Sequence, residues 1–129
     1  MFVRVALVAV GGAIGAVGRY LLGAWLQPRL GPDFPWATFA INISGSFLIG
    51  VVLGLVSEGA LSAEARLFLA VGVLGGYTTF STFSYETLEL LADGTMRAFL
   101  FNALGQLTGG LFAVYLGLAL GRALGGGTR

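Results

Sequence analysis

The chain has no cysteine and no histidine among its 129 residues. This removes disulfide frameworks, thiolate metal sites, imidazole ligands and Cys/His nucleophile pairs. Lysine is missing too: all seven basic residues are arginines, scattered from Arg4 to Arg129, so no basic patch forms and no nucleic-acid partner is expected. Charge of either sign is scarce. Charged side chains make up 10% of the chain, where a soluble domain carries about 25%, and the net charge of +1 implies no strongly charged partner surface. What fills the space is apolar, 57% of residues. A soluble chain of this length buries only part of its surface, so the excess requires lipid as solvent. The 22 glycines lie inside the apolar runs, where small residues let transmembrane helices approach closely.

Four apolar stretches stand out: Phe2–Gln27, Trp36–Ser57, Arg66–Leu90 and Met96–Arg122. Each reaches the ~20 residues that a helix needs to cross a bilayer. Together they predict an all-α membrane protein, a single transmembrane domain over residues 1–129. All three prolines fall in the first connection, Pro28 to Pro35, which cannot be helical throughout. Glu58–Ala65 is a polar lead-in to the third stretch, and Asp93-Gly94 marks a turn before the fourth. Trp25, Trp36 and Tyr20 sit near span ends, as an aromatic belt places them. The first run continues past Arg19 without a small-x-small cleavage site, so it reads as a span rather than a signal peptide.

Four spans put both termini on one side with the second connection. That side collects Arg4, Arg66, Arg122 and Arg129; the other collects Arg29 and Arg97, with Arg19 if it reaches that surface. Basic-residue bias fixes orientation, and here it is feeble. Insertion both ways up, and hence an antiparallel homodimer, follows as an expectation.

The third stretch carries the unusual chemistry. In Gly75-Gly76-Tyr77-Thr78-Thr79, adjacent glycines precede two β-branched threonines, all poor helix formers. They lie near the middle of the stretch, so this helix is expected to break near mid-membrane. A break frees carbonyls and amides, tolerable only if buried or lining a cavity, and broken helices build ion sites. A plain kink with hydroxyls bonded to the preceding turn is the alternative. After the break, Phe80 and Phe83 share a face, and Thr78, Thr82, Tyr85, Glu86 and Glu89 follow i, i+4, i+7, i+8, i+11 as a polar stripe. Ring edges carry partial positive charge, so two rings set edge-on can meet an anion without a formal cation.

Asn42 lies inside the second stretch with Ser44 and Ser46 after it, and Asn102 and Gln106 are i, i+4 in the fourth. Asn42 is either interhelical glue or part of a polar path; Asn102 and Gln106 are the remaining mid-span amides. Arg19, within the first span, either serves a vestibule or snorkels to the surface. Gly11/Gly15, Gly50/Gly54, Gly105/Gly109 and Gly117/Gly121 repeat the small-xxx-small spacing of helix contacts.

The run from Gly75 to Glu86 resembles the signature of the CrcB/Fluc family of fluoride channels. Gly11-Gly12-Ala13-Ile14-Gly15-Ala16-Val17-Gly18-Arg19-Tyr20 and the run from Thr38 to Phe47 resemble its other two blocks. Over nearly the whole chain, length, span number and motif order agree. The resemblance implies a dual-topology antiparallel homodimer in a prokaryotic inner (plasma) membrane. It implies two fluoride pathways and a structural sodium ion at the dimer centre, held by the backbone carbonyls of Gly75 and Thr78. It maps the paired phenylalanines to Phe80 and Phe83, the pore asparagine to Asn42, the hydroxyl track to Ser81 and Thr82, and vestibule or pathway-end positions to Arg19 and Glu86. In the fourth stretch the family often has a tyrosine and serines where this chain has Asn102, Gln106 and Gly110, so the likeness loosens there.

A passive path for a small, strongly hydrated anion fits these residues: donors replace water, and no cation between Arg66 and Arg97 holds the ion too tightly to leave. Three other classes compete. A small dual-topology multidrug exporter needs a carboxylate in its first span, and Phe2–Gln27 has none. An intramembrane enzyme needs a nucleophile and base, for which Glu86 and Glu89 near a span end are poor candidates. A scaffold subunit would have no use for Asn42 and the Gly75–Phe83 run together.

Overall fold

A long apolar run in lipid can satisfy its backbone polar groups only within itself, as a helix. In the computed structural model, which describes residues 1–127, four such helices form. Helix α1 is Phe2–Leu30 and α2 is Trp36–Ser57. The third span, Ala63–Ala92, is composite: α3 (Ala63–Arg66), a π-helical stretch Leu67–Leu74, α4 (Gly75–Tyr77) and α5 (Phe80–Ala92). Helix α6 is Met96–Gly126. All four spans are long and apolar enough to cross a membrane. Arg129, counted above with the arginines of one side, lies outside the described residues.

The ends differ from the sequence expectation by a turn or less. Helix α1 continues through Pro28 to Leu30 rather than stopping at Gln27, because a proline in a final turn forfeits one bond without ending it. Gln27 reinforces that turn: its Nε2 donates to the carbonyls of Gly31 (2.7 Å) and Phe34 (2.9 Å), and its Oε1 accepts from the Ala37 N–H (3.0 Å). One side chain thus joins the end of α1 to the start of α2. The third span begins at Ala63, where the Ser62 hydroxyl accepts from the Ala65 N–H (3.1 Å), a normal N-cap. Helix α6 runs past Arg122 to Gly126.

Two glycine-lined seams hold the spans. Between α2 and α6, Gly50 and Gly54 face Gly117 and Gly121. A Cβ on Gly50 would sit 2.5 Å from the Val114 carbonyl oxygen, and one on Gly117 would collide with that of Phe47. Between α1 and the third span, a Cβ on Gly15 would collide with the Val73 carbonyl, and one on Gly76 with that of Gly12. Backbones this close gain dispersion contact and satisfy lipid-embedded packing without large side chains. Gly105 and Gly109 instead receive the Phe39 ring and the Ile43 side chain. Much of the large apolar surface, including Val10, Ile14, Leu107, Leu111 and Tyr115, stays exposed on the single chain.

Candidate ion pathway at the helix break

The third span loses regular winding through its own sequence and its neighbours. Leu67–Leu74 is already wound as a π-helix, a form associated with functional sites. Gly76 is pinned against α1, and Gly45 on α2 leaves the space that the Thr78 methyl occupies. Thr78 (φ −81°, ψ 158°) and Thr79 (φ −149°, ψ 112°) are then extended, the conformation that β-branched residues favour. A new helix starts at Phe80. Its N-cap is Thr79, whose Oγ1 accepts from the Thr82 N–H (3.3 Å) and donates to Thr82 Oγ1 (3.0 Å).

Asn42 closes the break from the side. Its Oδ1 accepts from the Thr79 N–H (2.9 Å), and its Nδ2 donates to the Thr79 carbonyl (3.0 Å) and to Gln106 Oε1 (2.8 Å). The Asn42 amide replaces the helical acceptor that the Thr79 N–H loses at the break and adds a donor to the Thr79 carbonyl. Neighbouring groups are released as a result. In an unbroken helix the Gly75 carbonyl would accept from Thr79 and that of Thr78 from Thr82. Here the Thr79 N–H goes to Asn42 and the Thr82 N–H to the Thr79 hydroxyl. Thr78 itself bonds backwards, N–H and hydroxyl both donating to the Leu74 carbonyl. The N–H groups of Phe80 and Ser81 stand in the first turn of α5, where no helical acceptor exists. Carbonyls and amides therefore become available on opposite sides of two residues.

The predicted site residues divide between two cavities that meet at Thr79. One, of about 400 Å³, is lined by Asn42, Ser46, Gly75, Thr78, Thr79, Phe80, Phe83, Gln106 and Gly110. The two rings lie with centroids 5.7 Å apart at 48°. Phe80 is 79% exposed on the single chain, and Gly75 is exposed beside it. The other, of about 1010 Å³, contains Arg19, Thr38, Thr79, Thr82, Glu86 and Glu89. Glu86 Oε1 accepts from the Thr38 hydroxyl (2.9 Å), while its Oε2 is buried without a partner. This cleft also holds Asp33 and Asp93. Arg19 is its one basic residue against four carboxylates, so charge alone does not make it an attractor of anions. Ser81 is exposed, 3.4 Å by its hydroxyl from that of Thr79.

Several contributors escaped the sequence reading. Thr79 is the hub of the break, and the N-cap pattern of a threonine three residues before Thr82 is the signal that identifies it. Tyr77, whose hydroxyl meets that of Ser44 at 2.9 Å, ties the α4 turn to α2. Asn102 and Gln106 were visible as amides of one helical face, but their partners were not. Gln106 Nε2 donates to Asn102 Oδ1 (2.8 Å), Asn102 Nδ2 donates to Thr87 Oγ1 (2.8 Å), and Thr87 donates to the Phe83 carbonyl (2.6 Å).

A cation at the break would need main-chain oxygens, since among the described residues no group of three acidic side chains gathers to hold a metal. The released carbonyls of Gly75 and Thr78 have the right chemistry for a hard cation. Two oxygens from one chain fall short of its coordination number.

Residues 6–118 match the family described as CrcB-like protein, Camphor Resistance (CrcB). A protein named fluoride-specific ion channel FluC from Thermus thermophilus is 59% identical over 123 residues, 95% of this chain and 97% of its own length. Proteins with the same name from Agrobacterium fabrum (51% identical) and Anaeromyxobacter sp. strain K (44%) each align over 95% of this chain and 98% of their own.

Proposed function

The chain belongs to the CrcB-like family, and from that premise we propose that it is a passive fluoride-selective ion channel of the cell membrane that lets fluoride out of the cytoplasm. Neutral hydrogen fluoride crosses lipid from an acidic exterior and ionises inside. A path for the anion then returns it down its gradient with no energy source. A channel of this kind is not an enzyme. The observation that carries the reading is the third span's break, clasped by Asn42 and opening beside the Phe80–Phe83 pair in a cavity free of fixed cations. A small hydrated anion there exchanges water for amide and hydroxyl donors and ring edges, and it can still leave.

The working unit is an antiparallel dual-topology homodimer with two pathways. Exposure of Gly75 on the single chain supports this, since backbone polar groups freed by a break and left bare at mid-span are costly unless another chain covers them. Weak arginine bias between the two faces supports both orientations. In the dimer, the Gly75 and Thr78 carbonyls of both subunits supply four oxygens to a structural sodium ion, which would fix the two breaks to each other. Asn42, Phe80, Ser81, Thr82 and Phe83 form the anion path, and Arg19 and Glu86 its wider end. An exporter working by exchange is less well supported: α1 has no acid from Phe2 to Leu30 to carry the coupling proton.

Purified protein in liposomes, read with a fluoride electrode and with chloride run beside it, tests the function. Fluoride efflux well above that of protein-free liposomes, with little chloride efflux, is expected. Fluoride efflux equal to the blank overturns it.

A further inference from the structure

Two different helices hold the two ends of the α4 turn. At its start, Gly76 lies against α1, where a Cβ would collide with the Gly12 carbonyl oxygen. This contact fixes the peptide that carries the Gly75 carbonyl. At its end, Tyr77 and Thr78 both rest on Gly45 of α2. A Cβ there would collide with the Thr78 methyl group and stand 3.1 and 3.4 Å from the ring edge of Tyr77.

Hydrogen-bond direction adds a second hold on that end. The Ser44 hydroxyl donates to the Ile41 carbonyl at 3.1 Å, and this spends its one hydrogen. The Tyr77 hydroxyl, 2.9 Å from Ser44 Oγ, is therefore the donor of the pair. Thr78 follows, with N–H and hydroxyl both given to the Leu74 carbonyl at 3.1 and 3.0 Å before the chain turns to ψ 158°. Beyond it, Asn42 clasps Thr79. The Thr78 carbonyl thus leaves a residue held from both sides, with Tyr77 as the only anchor to α2 through a hydroxyl.

Tyr77 and Ser44 are absent from the linings of both cavities, so their bond serves the backbone rather than a passing anion. Hard cations bind oxygens placed at set distances, and groups that orient the ligands tune the affinity. Building on the cation site of the dimeric reading, we propose that Tyr77 is a positioning residue for that site: its hydroxyl, received by Ser44, sets the Thr78 carbonyl relative to that of Gly75. One oxygen is then placed from α1 and the other from α2.

Thermal unfolding of the full-length protein in detergent tests this. Sodium chloride replaces N-methylglucamine chloride stepwise at constant ionic strength and protein concentration. A cation that binds the folded state raises the melting temperature once its concentration passes the dissociation constant. Wild type is read first. If its melting temperature ignores sodium, the cation site fails and the role of Tyr77 falls with it, while the fluoride reading is decided separately by efflux. With wild type responding, Tyr77→Phe keeps the ring on Gly45 and removes only the hydroxyl. The sodium concentration at which the rise begins should increase about threefold to tenfold, the scale of one neutral hydrogen bond. Ser44→Ala removes the acceptor and should give a similar increase, and the double variant should add little to either. A bond that is merely structural lowers the curve equally at every sodium concentration and leaves its onset unmoved. That result overturns the proposal, as does a double variant in which the two increases multiply. If one single variant does not purify as a single species, the onset in the other decides between the same outcomes.

Discussion

Asn42 and Thr79 stand 37 residues apart in sequence and exchange two hydrogen bonds, Thr79 N–H to Oδ1 at 2.9 Å and Nδ2 to the Thr79 carbonyl at 3.0 Å. A side-chain amide has the donor and acceptor geometry of a peptide group, so it supplies the acceptor that the Thr79 N–H loses at the break and bonds the Thr79 carbonyl as well. Each buried polar group left unpaired would cost about 1–3 kcal/mol. The clasp therefore makes the break a stable feature of the fold, and it hands the neighbouring carbonyls of Gly75 and Thr78 to other partners.

Asn42→Asp should stop fluoride efflux. A carboxylate still accepts from the Thr79 N–H, but it turns an acceptor on the Thr79 carbonyl and on Gln106 Oε1, which both need donors, and it adds a negative charge to an anion path. Wild-type efflux in liposomes would contradict this placement of Asn42.

Replacing either ring should slow efflux without loosening the assembly. Phe80 and Phe83 lie with ring centroids 5.7 Å apart beside the break, and Phe80 is largely exposed on the single chain. Phe80→Ile and Phe83→Ile remove the ring edges but keep apolar bulk. Reduced fluoride efflux with an unchanged elution volume on gel filtration is expected; unchanged efflux in both variants counts against the assignment.

The glycine seam between α2 and α6 predicts a stability effect remote from the path. Gly117→Ala drives a methyl group into the Phe47 carbonyl and should cost about 1–3 kcal/mol as overpacking. Gly18→Ala, where nothing lies within 4 Å, should be neutral. Thermal unfolding in detergent separates the two, and equal melting temperatures would refute the seam.

The dual topology proposed above predicts two-sided labelling. Arg4, Arg66 and Arg122 on one face and Arg29 and Arg97 on the other give little bias. A cysteine appended after the last residue should react with an impermeant reagent from both sides of sealed vesicles. Labelling from one side alone would exclude dual topology.

The spans were legible because their signal is local and cumulative. Some twenty apolar residues in a row declare a helix whatever surrounds them, and four ends shifted by two to four residues: Gln27 reinforces the longer α1 and Ser62 caps an earlier start to the third span, while that span ends at Ala92 and α6 runs on to Gly126. The break was legible for the same reason, since Gly75-Gly76 and Thr78-Thr79 are poor helix formers wherever they occur. The roles of the amides were not. Asn42 read as a donor to an ion, yet both its amide hydrogens are engaged; Asn102 and Gln106 read only as mid-span amides with no partner named, and the cleft around Arg19 is richer in acid than one arginine suggested.

By itself, then, the sequence determined the solvent, the number of spans, the place where the third one fails and the pairing of Phe80 with Phe83, because hydropathy, backbone propensity and helical spacing act between near neighbours. Tertiary structure alone decided which polar groups remain to meet an ion. That choice depends on which donor reaches which acceptor across three helices, and a hydrogen bond formed with a residue 37 or 64 positions away leaves no trace in local spacing.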